Sequence, residues 1–327
     1  MAERHVEQLR RYMDVVDLDE SELGRRRIPR DSLLLLHPHF YLSYKHEHVF
    51  QDVETVVGID VADSDRISEV ATMLANRASA LIVPSRWSRD ACLRSGVRVP
   101  VYVVPHGLDR EWYEGKPEIH IFRDVLRLKE REGYKYLLFF CMHSPYRKGL
   151  DLVLDVYERV RRERKDIVLI AKLHSPNDIS TQVIRALGGI MVYGWLTERQ
   201  KRELYDVADI YLLFSRGGSF EMNGLEALAR GLVVVAGERG PWTEYLPHDA
   251  LLPTRRVERV LSWSMIHVGG GYEIDVERAV DRICEIADNL DEYKARVREH
   301  VNEYVKHRFN WDAVGQLLTQ VLSKHIY

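Results

Sequence analysis

The apolar positions of this chain fall into short unbroken runs, separated by charged stretches with helical periodicity. Residues 33–36, 56–59, 80–83 and 101–104 form four such runs, and 136–140, 167–171, 190–193, 210–214 and 232–236 form five more. Each is too short to span a membrane as a helix and too continuously apolar to leave one face in water. Each therefore predicts a strand buried on both faces of a parallel sheet. Between them, 67–78, 85–97 and 150–164 place apolar residues at helical spacing. Residues 1–31 read as charged helix, ending at Gly24 and the basic cluster Arg25, Arg26, Arg27 and Arg30. Residues 118–132 read as a connecting strand and helix, and a glycine turn at 269–271 precedes amphipathic helices that run to the end. The alternation of strand and helix predicts an α/β protein with parallel sheets and helices on both faces. The turn chemistry of 105–115 marks the exit from a first domain.

The segment 209–237, DIYLLFSRGGSFEMNGLEALARGLVVVAG, carries the densest information. Arg216, Gly217, Gly218 and Ser219 follow a buried strand and precede a helix, where open α/β sheets bind ligands and unpaired helix N–H groups suit an anion. Leu225, Leu228 and Ala229 make the core-facing stripe, which leaves Glu226 at the rim. Glu221 and Glu226 stand about 140° apart around an ideal helix and suit different parts of one elongated ligand. A second loop at an equivalent strand end, CMHSPYRKG, offers His143, Arg147 and Lys148. One loop supplies positive charge, the other carboxylates and N–H groups; a nucleotide-sugar needs both.

The 327 residues are 46% hydrophobic, with a formal net charge of −3. That composition suits two soluble domains and offers no basic excess for a dedicated nucleic-acid binder. Three scattered cysteines without C-x-x-C spacing point to a reducing, cytoplasmic compartment. The amphipathic N-terminus is unlike a signal peptide. The arginine cluster at 25–30 reads first as a solvated helix end, with contact to anionic lipid headgroups as the alternative. His37, His39, His46 and His48 crowd twelve positions without a neighbouring cysteine, which favours acceptor contact or a structural role over a metal site. The acidic pairs Asp17/Asp19 and Asp63/Asp65, with Asp60 nearby, have the spacing of a cation chelate, a pattern common by chance.

Taken in order, VPHGLD at 104–109, RKGLDLVLDVY, YGWLTERQKRELYDVADIYLLFS, LEALARGLVVVAG and RFNWDAV at 308–314 resemble the family-4 retaining glycosyltransferases, glycosyl transferases group 1, of the GT-B fold. The resemblance covers nearly the whole chain. It implies two Rossmann-like domains facing a cleft: residues 1–112 as the shortened acceptor-binding domain, completed by a C-terminal helix at about 309–327, and 113–308 as the nucleotide-sugar-binding domain. It implies transfer of a sugar from a nucleoside diphosphate to an acceptor hydroxyl with retention, no cofactor and no required metal. Lys148 takes the diphosphate and Glu226 the ribose. Gly217, Gly218, Ser219, Phe220 and Glu221 cradle donor sugar and phosphate, with Asn223, Gly224 and Leu225 beside them, and Tyr193, Gly194 and Trp195 lie near the base. His106, in the interdomain turn, joins the four clustered histidines as an acceptor-side candidate.

Three departures from the family pattern matter. Gly218 stands where the family has a carboxylate eight positions before the ribose glutamate, and Glu221 is its candidate substitute. His143 stands where the family has arginine, so Arg147 shares the phosphate charge. The first domain is short and lacks the glycine-rich turn after its first strand. Glu221, Lys148 and His143 are the expected catalytic set. Polysaccharide, lipid-linked, glycoprotein and small-molecule acceptors all stay open. So do a non-catalytic nucleotide- or glycan-binding protein and a sugar-nucleotide epimerase; a metal-dependent transferase of the other main fold is disfavoured because the acidic pairs lie outside the second domain.

Overall fold

The computed structural model describes residues 2–23, 25–115, 118–176 and 179–326; Gly24, expected to close the first helical segment, lies outside them. The nine apolar runs become strands of two parallel sheets. Leu33–Leu36 (β1), Thr55–Ile59 (β2), Ala80–Val83 (β3) and Val101–Val103 (β4) pair in the order β1-β2-β3-β4. Lys135–Cys141 (β5), Ile167–Leu173 (β6), Ile190–Val192 (β7), Ile210–Leu213 (β8), Val233–Gly237 (β9) and Leu251–Leu252 (β10) pair in the order β10-β9-β8-β5-β6-β7.

In the second sheet the chain runs outward from β5 through β6 to β7, then returns to the other side of β5 and runs outward again from β8. Strands β5 and β8 therefore flank a topological switch point, and the crevice beyond their carboxyl ends is where such sheets take ligands. Tyr136, Leu137, Leu138, Ile210 and Leu212 are fully buried there. Each buried side chain of this size contributes roughly 1.5–3 kcal/mol. A one-residue slip would turn every side chain of a strand to the opposite face, so the register is firmly set and so is the position of the loop beyond each strand.

The first sheet is closed by the end of the chain. The helix Trp311–Leu322 lays Trp311, Val314 and Leu318 against Val57, Ile59, Ala80 and Ile82, with Leu9 of the helix Ala2–Leu9 in the same cluster. The two crossings between the sheets meet where Leu108 N–H donates to the Phe309 carbonyl at 2.8 Å. Gly107 makes this possible, because a Cβ there would lie 2.7 Å from the carbonyl carbon of Asn310 and from the Trp311 nitrogen.

Four local expectations are corrected. The N-terminal 31 residues hold two short helices, Ala2–Leu9 and Glu20–Leu23, rather than one. The second restarts because Asp19 Oδ1 accepts from Ser21 N–H at 2.8 Å while Glu22 accepts from Asp19 N–H at 3.1 Å. The stretch 118–132 contains the helix Arg123–Glu132 and no strand. The histidine-rich stretch is partly helical, His39–Lys45, its Phe40 N–H held at 2.6 Å by Asp60 from the end of β2. Lastly, Thr254–Val257 (β11) and Gly271–Ile274 (β12) form an antiparallel pair that had not been expected.

That pair carries the second half of the chain onto the first. Asp65 accepts from Gly270 N–H at 2.8 Å and pairs with Arg256 at 2.6 Å, and Asp65 N–H donates to the Gly270 carbonyl at 3.0 Å. Glu244 reaches back to accept from Arg86 N–H at 2.6 Å.

Candidate functional site

At the carboxyl end of β5 the chain makes a single turn of helix, Pro145–Lys148, where a loop was expected. Gly149 then takes φ 76° and starts the long helix Leu150–Glu163. A side chain at 149 would overlap the Phe214 carbonyl at the end of β8, its Cβ lying 2.9 Å from that carbonyl carbon. The backbone of this turn thus lies directly on the neighbouring strand end. Arg147 and Lys148 are delivered beside the 216–221 loop.

There they meet Glu221. Lys148 Nζ donates to Glu221 Oε2 at 2.6 Å, and Arg147 Nη1 donates to Glu221 Oε1 at 3.2 Å and to the Gly217 carbonyl at 2.9 Å. Arg147 and Glu221 are buried; Lys148 keeps partial access to solvent. Glu221 is held in the left-handed region, φ 64° and ψ 67°, just ahead of the helix Met222–Ala229. Tyr245 Oη fixes that turn by donating to the Glu221 carbonyl at 2.7 Å. The carboxylate also fills the space in front of Gly218: a Cβ on Gly218 would lie 3.0 Å from Glu221 Cγ and 3.1 Å from Cδ. Glu221 therefore occupies the place of the side chain absent at 218.

Glu226, expected at the rim, is instead buried. It pairs with Lys201 and accepts from Tyr205 Oη at 2.8 Å and Asn223 Nδ2 at 3.3 Å. Burial raises its pKa, a shift that Lys201 and Tyr205 oppose. Arg216 turns away from the loop it begins. Its guanidinium takes Asp151 at 2.8 and 2.6 Å and Glu273 at 2.7 Å, and lies 4.0 Å above the Tyr146 ring, so its charge is spent on structure. Within the expected donor loop, Leu225 is a core residue and Phe220 joins Tyr245 and Phe309 in an aromatic cluster. Gly224 fits under Tyr245, where a Cβ would lie 2.6 Å from the hydroxyl. These three contribute shape, not side-chain contacts to a ligand. Tyr193, Gly194 and Trp195 follow β7, with Trp195 92% exposed. His143 is exposed, bonded to Ser144 Oγ at 3.0 Å, and burial together with Arg147 and Lys148 lowers its pKa.

The acceptor-side histidines separate into three groups. His39 is a core residue: Nε2 meets the Leu74 carbonyl at 3.1 Å, Nδ1 meets Ser43 Oγ at 3.0 Å, and burial pushes its pKa down to about 4. His46 belongs with Glu20, 3.5 Å away, and His48 packs edge-on to it at the surface. None of those three joins the cluster beside the donor loop. His37 and His106 do, with His5 from the N-terminal helix between them at ring-centroid distances of 5.6 and 6.3 Å, and His106 lies 5.1 Å from Phe220. Burial lowers all three, His5 to about 4 and His106 to about 3. Their Nδ1 atoms have no hydrogen-bond partner.

Sequence reasoning missed His5, whose place in a helix hides what it faces, and also Asp63 and Lys172. Asp63, weighed earlier only as half of an acidic pair, enters from the first sheet and stands 3.8 Å from Arg147. Burial raises its pKa, but Arg147, His267, Lys148 and the Ser219 hydroxyl outweigh that and hold it below the ordinary value. Its neighbour Asp65 faces Arg256 and Gly270 instead, so the two carboxylates serve different partners. Lys172, near the end of β6, is buried, and among the described residues the Met142 sulfur and the Leu173 carbonyl lie beside its ammonium, each at 3.3 Å; burial lowers its pKa. An apolar run containing one lysine was the available signal. Among the described residues, no group of three histidine, cysteine or acidic side chains has a metal-binding arrangement, and no helix is long and apolar enough to cross a membrane.

Residues 134–261, which contain both loops, match the family described as glycosyl transferases group 1. Uncharacterized protein 356 of Sulfolobus islandicus rod-shaped virus 1 is 29% identical over 340 aligned positions, covering 99% of this chain and 94% of its own length. Putative glycosyltransferase 45 of Sulfolobus islandicus filamentous virus is 28% identical over 275 positions, covering 81% of this chain and 73% of its own. Among solved structures, HepE of Anabaena in complex with UDP-glucose superposes with a TM-score of 0.68 at 18% identity, covering 89% of this chain and 78% of that one. That likeness shows the fold: two Rossmann-like halves facing a cleft.

Proposed function

From a chain of the GT-B fold whose residues 134–261 form a group 1 glycosyl transferase domain, we propose a transferase that moves a sugar from a nucleoside diphosphate to an acceptor hydroxyl with retention. One observation carries the reading: Arg147, Lys148 and Glu221 converge at the switch point between β5 and β8. Two cations against one carboxylate leave one positive charge in this triad, which Asp63, 3.8 Å from Arg147, offsets. A diphosphate arriving there would take the cations, whose bonds to phosphate oxygens are charge-assisted. Glu221, released from those cations, would then face the donor sugar from the space in front of Gly218 that it already fills.

Catalysis in this reading rests on stabilising the departing diphosphate and on positioning, with Lys148 and Arg147 in the first role. The leaving phosphate receives the acceptor proton on the same face that the acceptor attacks, so neither a covalent nucleophile nor a metal is required. Glu226 sits two hydrogen bonds deep beside Lys201 and Tyr205, a suitable anchor for ribose hydroxyls, and the exposed Trp195 suits the base. We place the acceptor against residues 1–112, with His37 and His106 as its hydrogen-bonding partners. The HepE complex holds UDP-glucose, and a uridine donor is the first to try.

The test is calorimetric titration of UDP, GDP and ADP, then their sugar conjugates, into wild type and Glu226→Ala without added metal. Binding of one nucleotide that the substitution abolishes, followed by α-linked product from an α-linked donor, is expected. No binding to folded wild type would overturn the donor site. Interconversion of free sugar-nucleotides without transfer would replace a transferase with an epimerase.

A further inference from the structure

A cavity of about 1130 Å³ lies between the two halves of the protein, and none of the donor-loop residues lines it. One wall comes from the start of the helix Arg86–Arg94 after β3, with Arg86 and Trp87, and from Arg66 beyond β2. The other comes from the loop after β9, with Arg239, and from Arg256 and Tyr272 of the β11–β12 pair. The segment 304–317 closes it with Tyr304 and Arg308. Asp65, bonded to Gly270 across the halves, lines this cavity, whereas Asp63, two positions earlier, contacts Arg147 of the donor cluster.

The charge in this cavity is unusual for its state of pairing. Arg256 is matched by Asp65. The guanidinium groups of Arg66, Arg86, Arg239 and Arg308 have no carboxylate partner among the described residues. Of the other three acidic residues in the lining, Glu244 accepts from the Arg86 backbone, Asp90 pairs with Arg89, and Glu238 is exposed to solvent. Arginines without carboxylate partners round one concavity repel one another; of the four, Arg308 donates to Tyr304 Oη at 3.2 Å. Aromatic rings lie beneath them: Arg239 and Arg256 over Tyr272 at 5.9 and 6.0 Å, and Arg308 over Tyr304 at 4.3 Å. The indole N–H of Trp87, edge-on to Tyr272, is buried without an acceptor.

We propose that this cavity binds an anionic ligand carrying at least two phosphate or sulfate groups. Planar guanidinium forks match such oxyanions two hydrogen bonds at a time, and aromatic rings between them suit a sugar or other flat spacer. Because both halves supply arginines, the bound ligand bridges them and stabilises their closed arrangement. The site is separate from the donor cluster and does not depend on the transferase reading.

The experiment uses the full chain with two probes, inorganic tripolyphosphate and sucrose octasulfate, titrated into wild type, Lys148→Ala and Arg66→Ala/Arg239→Ala. Both arginines are exposed and unpaired, so the double variant keeps its fold, which a melting curve checks. Binding of either probe should survive Lys148→Ala and weaken about tenfold or more in the double variant, with a steep loss on adding salt. Preference for the phosphate or the sulfate probe identifies the source of the anion. Absence of binding by wild type, equal binding by wild type and the double variant, or loss in Lys148→Ala alone would each overturn the proposal.

Discussion

The carboxylate of Glu221 occupies the volume that a side chain at Gly218 would need. A Cβ on Gly218 would lie 3.0 Å from Glu221 Cγ, and nearer still to Oε1. A residue three positions along the chain reaches back into that volume only because its own backbone is left-handed, φ 64°. The arrangement costs roughly 1–2 kcal/mol for a residue with a Cβ. Its return is a carboxylate placed between Arg147 and Lys148.

Gly218→Ala should therefore destabilise wild type by about 1–3 kcal/mol through overlap with that carboxylate. In a Glu221→Gly background the same substitution should cost little. Urea unfolding of the four proteins gives the coupling, expected at about 1 kcal/mol or more. Additive effects would show that the two positions do not share space.

Arg147 and Lys148 should respond differently to truncation although they touch the same carboxylate. Lys148 is partly solvated, so Lys148→Ala should leave the melting temperature nearly unchanged and weaken nucleoside-diphosphate binding about 10- to 100-fold. Arg147 is buried and also holds the Gly217 carbonyl. Arg147→Ala should cost about 3 kcal/mol of stability by leaving buried acceptors uncompensated. Calorimetry and denaturant melts separate the two outcomes.

Gly149→Ala and Gly133→Ala both place a side chain at positive φ, 76° and 69°, but only the first meets the Phe214 carbonyl; nothing lies within 4 Å of the second. The conformational penalty alone is about 1–2 kcal/mol. Gly133→Ala should show that and no more, while Gly149→Ala should exceed it by about 1–3 kcal/mol for the overlap. Equal losses would mean that the 145–149 turn can lift away from β8.

These contrasts mark what the sequence discloses. The strands were legible because a buried parallel strand must be apolar without interruption, and 33–36 and 210–214 could be little else. The placement of Lys148 beside the 216–221 loop was legible because it follows a strand end at fixed spacing, whereas Glu226, read at the rim, is buried. The role of Glu221 was half legible: the missing side chain at Gly218 was visible, but the left-handed turn that carries Glu221 into its place depends on Tyr245, twenty-four positions away. His37 and His39 share a composition and a neighbourhood, yet one lines the cleft cluster and the other fills the core against Gly58 and Leu74. Only the start of the helix at His39, capped from β2 by Asp60, decides between them. Asp63 and His5 come to the site from elements whose packing no local pattern states.

The histidine cluster supplies the pH dependence. His5, His39 and His106 are held neutral by burial, with pKa values near 4, 4 and 3, against about 6.5 in the unfolded chain. Between those values the unfolded chain binds protons that the folded protein refuses, so stability is complete above about pH 6.5 and falls as pH drops toward 4. Asp60 acts in the opposite sense: burial raises it to about 6, so the folded protein gains a proton there and stability from it rises on acidification. Because several groups titrate together, the discriminating quantity is a difference between two proteins. His5→Phe keeps a ring edge-on to Trp311, where His5 lies 5.8 Å away, and removes one suppressed proton site. Its stability relative to wild type should improve by about 1.4 kcal/mol for each pH unit below 6.5 until the cluster begins to protonate. Urea midpoints measured from pH 7.5 to 4.5 give that difference directly, and a constant offset across the range would show that His5 titrates in the fold as it does in the unfolded chain.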